Sequence, residues 1–176
     1  RVVPVAAING EVFLNTCVIG WYPDMVRTRE RLRERLPRPV AAFAAFWAHA
    51  LKIHRFTVEI DGDRRLAWLL WAGNGRYGTD AGTMSEREDL AEGVLDIRLA
   101  LADRRFAKFH AVWDLLRGRF HESELLERSV TATPVTAHVS LGRVRAALDA
   151  EVVELTTPLT LTPAARRVTV LVPPDA

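Results

Sequence analysis

The sequence predicts a mainly β (α+β) domain, an antiparallel β-sandwich with two to three peripheral helices. Three observations carry that prediction. The last third of the chain is a succession of short segments rich in Val, Thr and Leu, at 129–139, 143–148, 152–155, 159–161 and 168–172, separated by Gly or Pro, the pattern of antiparallel strands. Asn9-Gly10 and Asp61-Gly62 each join two apolar runs, and both dipeptides tolerate the positive φ of a tight hairpin turn. Helical spacing of apolar residues is confined to a few stretches, whereas a parallel doubly wound sheet needs a helix after each strand.

Residues 2–8 and 12–19 form the first predicted hairpin. After Gly20 the pattern turns helical, with Met25, Val26, Leu32 and Leu36 set among arginines until Pro37 and Pro39 interrupt it. A more apolar helix is predicted over 40–53, where Phe43, Phe46, Trp47 and Leu51 among alanines suggest packing against the sheet. Strands at 56–60 and 66–72 follow, then a loop with Gly73, Gly75, Gly78 and Gly82 and an acidic stretch with Glu86, Glu88, Asp89 and Glu92. Residues 94–101 read as a strand, and Phe106, Phe109, Val112, Trp113 and Leu116 recur at helical spacing. There is no internal repeat or low-complexity linker, so residues 1–176 are expected to form a single domain.

A chain of 176 residues, 49% hydrophobic and 26% charged, suffices for one domain with a real core and excludes disorder. The net charge of +2 hides a basic stretch, Arg27, Arg29, Arg31, Arg33, Arg35 and Arg38. This stretch suits anionic lipid or phosphate, or else, with Glu30 and Glu34 interleaved, a solvated helix face. Cys17 is the only cysteine, which excludes an intrachain disulfide and a cysteine-based zinc site and fits a reducing compartment. No apolar run is long enough to span a bilayer and no charged leader precedes a signal-like core, so a soluble chain is expected. The chain begins at Arg1 and runs straight into Val2, Val3 and Val5, as expected of a piece of something longer.

Glycines let backbone amides approach a ligand closely, which makes 73–82 a candidate binding loop. Gly73, Gly75 and Gly78 satisfy G-x-G-x-x-G. A dinucleotide fingerprint must open a helix within a parallel β-α-β unit, however, and here a hairpin precedes the loop. No G-x-x-x-x-G-K-[ST] loop and no G-x-S-x-G elbow occurs, and His49, His54, His110, His121 and His138 form no H-E-x-x-H pair. In the acidic turn at 89–94, carboxylates and backbone carbonyls suit a magnesium or calcium ion. A solvated loop is the alternative. Asp149-Ala150-Glu151 sets two carboxylates at i and i+2, on one face if the strand is regular. A paired carboxylate serves as a general base; the alternative is a hairpin turn.

In order, these residues resemble the C-terminal domain of the diacylglycerol kinase family, which includes sphingosine kinases and bacterial lipid kinases and shares its β-sandwich with NAD kinase-like proteins. The family hairpin NGxxFxNxxxxG appears as Asn9-Gly10, Phe13, Asn15 and Gly20. Its NGxxxGGGM…DDGxLDV stretch appears as Asn74-Gly75, Gly78, Gly82 and Met84, then Glu92-Gly93, Leu95 and Asp96. Its DGE appears as Asp149-Ala150-Glu151, and its closing strand as Pro163, Val168, Val170 and Pro173. The run from Asn15 through Leu32 looks like actinobacterial members, some of them fused to a phosphatidic acid phosphatase domain.

The resemblance implies half of an ATP-dependent lipid kinase acting on a diacylglycerol-like or sphingoid hydroxyl. In the family, an N-terminal domain with a GGDGT motif binds ATP, and that motif is missing from this chain. Glu151 would be the catalytic base, with Asp149 as the alternative base or a metal-linked partner. Asn74, Gly75, Gly78 and Gly82 would form the cofactor-facing wall. Asp89, Glu92 and Val94 would hold Mg2+, the first and last through backbone carbonyls. Expected partners are a lipid substrate, a membrane surface bound peripherally at the inner face of the cell membrane, and the N-terminal domain; a homodimer is a further reading, and no nucleic acid is expected. Three departures stand out: Glu92 in place of Asp, Ala150 in place of Gly, and the glycine triplet diluted over 78–82. They motivate a second reading, a noncatalytic lipid-binding or scaffolding domain.

Overall fold

The computed structural model describes residues 2–50, 53–78, 87, 89, 91–102 and 126–170. The helix predicted at 106–116 lies outside them, as do Gly82, Met84 and Pro173. The described strands are β1 (Val2–Ile8), β2 (Glu11–Phe13), β3 (Thr16–Gly20), β4 (Phe56–Ile60), β5 (Asp63–Asn74), β6 (Leu95–Leu101), β7 (Leu126–Thr131), β8 (Val135–Val139), β9 (Arg143–Leu148), β10 (Glu151–Thr156) and β11 (Leu159–Thr169). All eleven join one sheet, with path order β10-β9-β3-β5-β4-β8-β11-β1-β2 and with β6 and β7 branching from β5. The mainly β, antiparallel class is as predicted, but the sheet is a curled half-barrel rather than a flat sandwich.

The curl originates at β5. Its residues 67–74 pair with β6 along one edge, and the other edge is shared by β4 over 63–67 and β3 over 69–73. One strand thus carries three neighbours, and right-handed strand twist rolls the two arms toward each other. Along β6 the period of two puts Leu95, Ile97 and Leu99 into the main core with Ile8, Phe13, Ile19, Leu70, Leu159 and Leu161, while Asp96 and Arg98 are buried on the opposite face.

Gly20 ends β3 and turns the chain away from the sheet. Its φ of 121° is open only to glycine, and a Cβ there would lie 2.2 Å from the Trp68 carbonyl oxygen. Helix α1 (Tyr22–Arg33) follows, with Pro23 and Asp24 in its first turn and Arg31 and Arg33 in its last, a charge order that suits the helix dipole. It packs on β3, β9 and β10. Helix α2 (Arg38–Ala50) packs mainly on α1, not on the sheet as predicted, because α1 already covers that face. Ala41 and Ala45 are buried one turn apart, and Trp21 meets Phe46 edge-on at 5.9 Å, but Phe43 and Trp47 remain exposed. Neither helix is long and apolar enough to cross a membrane.

The division of three segments into strands differs from the sequence reading. The segment 12–19 is two strands, since β2 pairs with β1 whereas β3 pairs with β5 and β9. Residues 129–139 also divide, β7 joining β6 and β8 joining β4 and β11, with Pro134 at the break supplying no N–H to a ladder. Conversely, 159–161 and 168–169 belong to the single strand β11, whose register against β1 shifts between Val5 and Ala7.

Candidate functional site

The β2–β3 turn, the β9–β10 turn and the end of β5 come together at one end of the half-barrel, whereas the Asn9-Gly10 turn is bonded to Thr156, Pro158 and Thr160 at the other end of β10. The β9–β10 connection is a two-residue turn, with Asp149 at φ 48° and Ala150 at φ 75°, the backbone of a type I′ hairpin. A turn there removes the shared face expected of a regular strand. The Asp149 carboxylate is directed at the β2–β3 turn and accepts the amides of Leu14 (2.6 Å), Asn15 (2.8 Å) and Thr16 (3.0 Å). Glu151 begins β10, pairs in register with Leu148, and is exposed. Glu151 is therefore a carboxylate open to an incoming ligand, and Asp149 is fixed as a clamp.

The same β2–β3 turn is held from β5. Asn74 is 1% exposed, and its Nδ2 donates to the carbonyls of Pro4 and Leu14, each at 3.0 Å. The Asn15 carbonyl accepts from the Asn74 amide at 2.9 Å and the Tyr77 hydroxyl at 3.0 Å, and Arg87 donates to the Leu14 carbonyl. Asn74 Oδ1 is the one buried side-chain N or O atom among the described residues without a hydrogen-bond partner. An acceptor left unmade in a buried setting is energetically costly, and a ligand or water donor would satisfy it.

Gly75, at φ 95°, is the point on which the acidic loop closes. Its amide donates to the Val94 carbonyl at 2.7 Å, and a Cβ on it would lie 3.2 Å from the Asp89 carbonyl oxygen. Two carbonyls expected at a metal thus face one glycine. The third expected group is engaged elsewhere: Glu92 pairs with Arg76 at 2.9 Å, and Asp89 Oδ1 accepts the Ala91 amide at 2.8 Å. Among the described residues no three His, Cys, Asp or Glu side chains converge. Magnesium demands a near-octahedral oxygen shell, and as arranged the loop does not fit it, because Glu92 would first have to leave Arg76.

Below the glycines lies an ion cluster that sequence reasoning did not find. Buried Asp96 is bound by Arg98 at 2.8 Å and Arg128 at 2.7 Å, and it accepts the Tyr77 amide at 3.1 Å. Burial pushes its carboxyl up, but the hydrogen bonds from Arg98, Arg128 and Tyr77 outweigh that and hold it below its ordinary value. The two guanidiniums also donate to the Tyr77 carbonyl, and Arg98 reaches that of Gly78, so the start of the glycine loop is pinned to β6 and β7. Arg98 stacks over Trp71, 4.9 Å from the ring centroid. The alternation in Leu95-Asp96-Ile97-Arg98 could have revealed the first pair; Arg128 carries no local signal.

Of the predicted site residues, Asp149, Asn74 and Gly75 are thus tied through one hydrogen-bonded set of turns, with Gly78 held beside it. Asp89, Glu92 and Val94 form the neighbouring loop. Gly82 lies outside the described residues.

No protein-family model matches the sequence, and neither does any curated protein. Solved structures do match in fold. Three structures assigned as diacylglycerol kinases of Bacillus anthracis str. Sterne superpose on 93% of the chain, with TM-scores of 0.61, 0.57 and 0.50 at 19%, 18% and 15% identity. The chain spans only 51 to 55% of their length. The half-barrel with its helical hairpin is therefore a fold seen in diacylglycerol kinases, with the coverage expected of one domain of such a protein. The resemblance carried by the motifs is matched by this likeness of fold.

Proposed function

We propose that the chain is the substrate-binding and catalytic-base half of an ATP-dependent lipid kinase, working at the inner face of a membrane on a diacylglycerol-like or sphingoid hydroxyl. The observation that carries this reading is that turns separated by more than 130 residues, at Asn15 and Asp149, are hydrogen-bonded into one cluster with Asn74. In the proposed reaction the lipid hydroxyl oxygen bonds to the γ-phosphorus as the bond to the β–γ bridging oxygen breaks. ADP leaves, and the hydroxyl proton passes to Glu151. Asp149 positions Glu151 by fixing the turn that precedes it, and Asn74, Gly75 and Gly78 line the side from which nucleotide approaches. ATP is supplied by a partner domain. If magnesium binds, Asp89, Glu92 and Val94 would hold it only once Glu92 is released from Arg76, and it would supply neutralisation of phosphate charge.

A noncatalytic lipid-binding domain is the second reading, favoured by the Arg76–Glu92 pair. Phosphate transfer from ATP to diacylglycerol or sphingosine by the full-length protein decides between them. We expect transfer that falls at least about 100-fold in Glu151→Gln. Equal rates would remove Glu151 as the base, and no transfer to either lipid alongside retained lipid binding would establish the second reading.

A further inference from the structure

A concave site is formed between the helical hairpin, β9 and the connection into β4. The period of two along β9 buries Val144 and Ala146 and leaves Arg143 and Arg145 on the face that α1 approaches. Arg27 and Arg31, one helical turn apart on α1, join them, and Arg55 enters from the connection between α2 and β4. These arginines line two adjoining cavities of about 610 and 360 Å³ that share Asp24, His49 and Arg145. A 2.8 Å hydrogen bond between Thr28 Oγ1 and His49 Nε2 links the two helices beside them.

The charge of this groove is unbalanced. Five arginines face one aspartate, and that aspartate is engaged by Arg145 through contacts of 3.0 and 3.2 Å. Arg27, Arg31, Arg55 and Arg143 have no ion-pair partner among the described residues. The formal charge of the lining is +4 with its histidines neutral, twice the +2 of the entire chain. Like charges around a concavity repel, and the field they focus there favours an anion. Guanidinium forks match phosphate oxygens in geometry as well as charge.

We infer that this groove binds a phosphate group, carried by an anionic lipid headgroup or by a free phosphomonoester. It is separate from the proposed catalytic turn: Arg143 begins β9 and Asp149 is in the turn that follows it, six residues or about 20 Å along the strand. Its existence does not depend on kinase activity. Helix α2, which supplies His49, also leaves Val40, Phe43 and Trp47 exposed, so a bilayer is one of the two sources to test.

Two arms distinguish the sources. One titrates the chain with inorganic phosphate and glycerol 3-phosphate by calorimetry; the other measures flotation with phosphatidylcholine vesicles with and without phosphatidic acid. The variant Arg27→Gln/Arg31→Gln/Arg143→Gln removes three unpaired groove cations, and Arg166→Gln/Arg167→Gln removes exposed charge on β11 as a control. Binding in either arm should weaken at least about tenfold in the groove variant and less than about twofold in the control. Binding to vesicles alone assigns the lipid headgroup, and binding to the soluble anions assigns a free phosphomonoester. Equal loss in both variants, or no binding in either arm, overturns the inference. Unchanged circular dichroism and melting of the groove variant exclude misfolding as the cause.

Discussion

Asp149 shows how one side chain sets a local structure. Its two oxygens receive three consecutive backbone amides of the β2–β3 turn, donors that this turn leaves without strand partners. The charge of Asp149 also reaches Cys17, whose thiol is pushed up to about 12, first by burial and then by that carboxylate. Asp149→Ala would strand those amides and should lower unfolding free energy by about 2–3 kcal/mol. Asp149→Asn, which keeps one acceptor, should recover part of it. Urea unfolding checks both, and a loss under about 0.5 kcal/mol would mean that water replaces the carboxylate.

At the scale of the element, the β9–β10 hairpin depends on a turn that its second residue does not favour. A two-residue type I′ turn places both central residues at positive φ. Asp149 tolerates this through its short polar side chain, whereas Ala150 at φ 75° carries a Cβ penalty of about 1 kcal/mol. Ala150→Gly removes that penalty while adding entropy to the unfolded chain. The net expectation is a gain of about 0.5 kcal/mol, read as a higher urea midpoint. The ladder between β9 and β10 is continuous from the turn outward, so relief at the turn also steadies the strand that begins with Glu151.

For the whole molecule, the Asp96 cluster joins the branch of β6 and β7 to the start of the glycine loop. Asp96 is on β6, Arg128 on β7, and both arginines hold the Tyr77 carbonyl. Because the folded state holds Asp96 below its ordinary value, its contribution is complete above the unfolded carboxyl value of about 3.9. It is lost as pH falls through the lower folded value. Unfolding free energy measured from pH 7 downward should therefore hold until about pH 4 and then decline. Asp96→Asn should flatten that decline and destabilise the protein at pH 7, since two guanidiniums lose their carboxylate. An unchanged acid limb in the variant would assign the acid sensitivity to other groups.

The sequence by itself determined the β-rich antiparallel class, the hairpins at Asn9-Gly10 and Asp61-Gly62, the presence of two helices after Gly20, and the order of motifs along the chain. These are local properties: turn chemistry depends on the φ that two residues tolerate, and strand or helix period on neighbours a few positions away. Tertiary structure alone decided that 12–19 and 129–139 each divide, that α2 rests on α1, and that Asp149 faces the β2–β3 turn and not Glu151. It also decided the partnership of Arg76 with Glu92, the convergence of Arg98 and Arg128 on Asp96, and the gathering of arginines from 27 to 145 in one groove. Each of these depends on which strand edge or helix face meets which, a long-range choice made by burial and charge pairing; of these contacts only the Asp96–Arg98 pair falls within one short window of sequence.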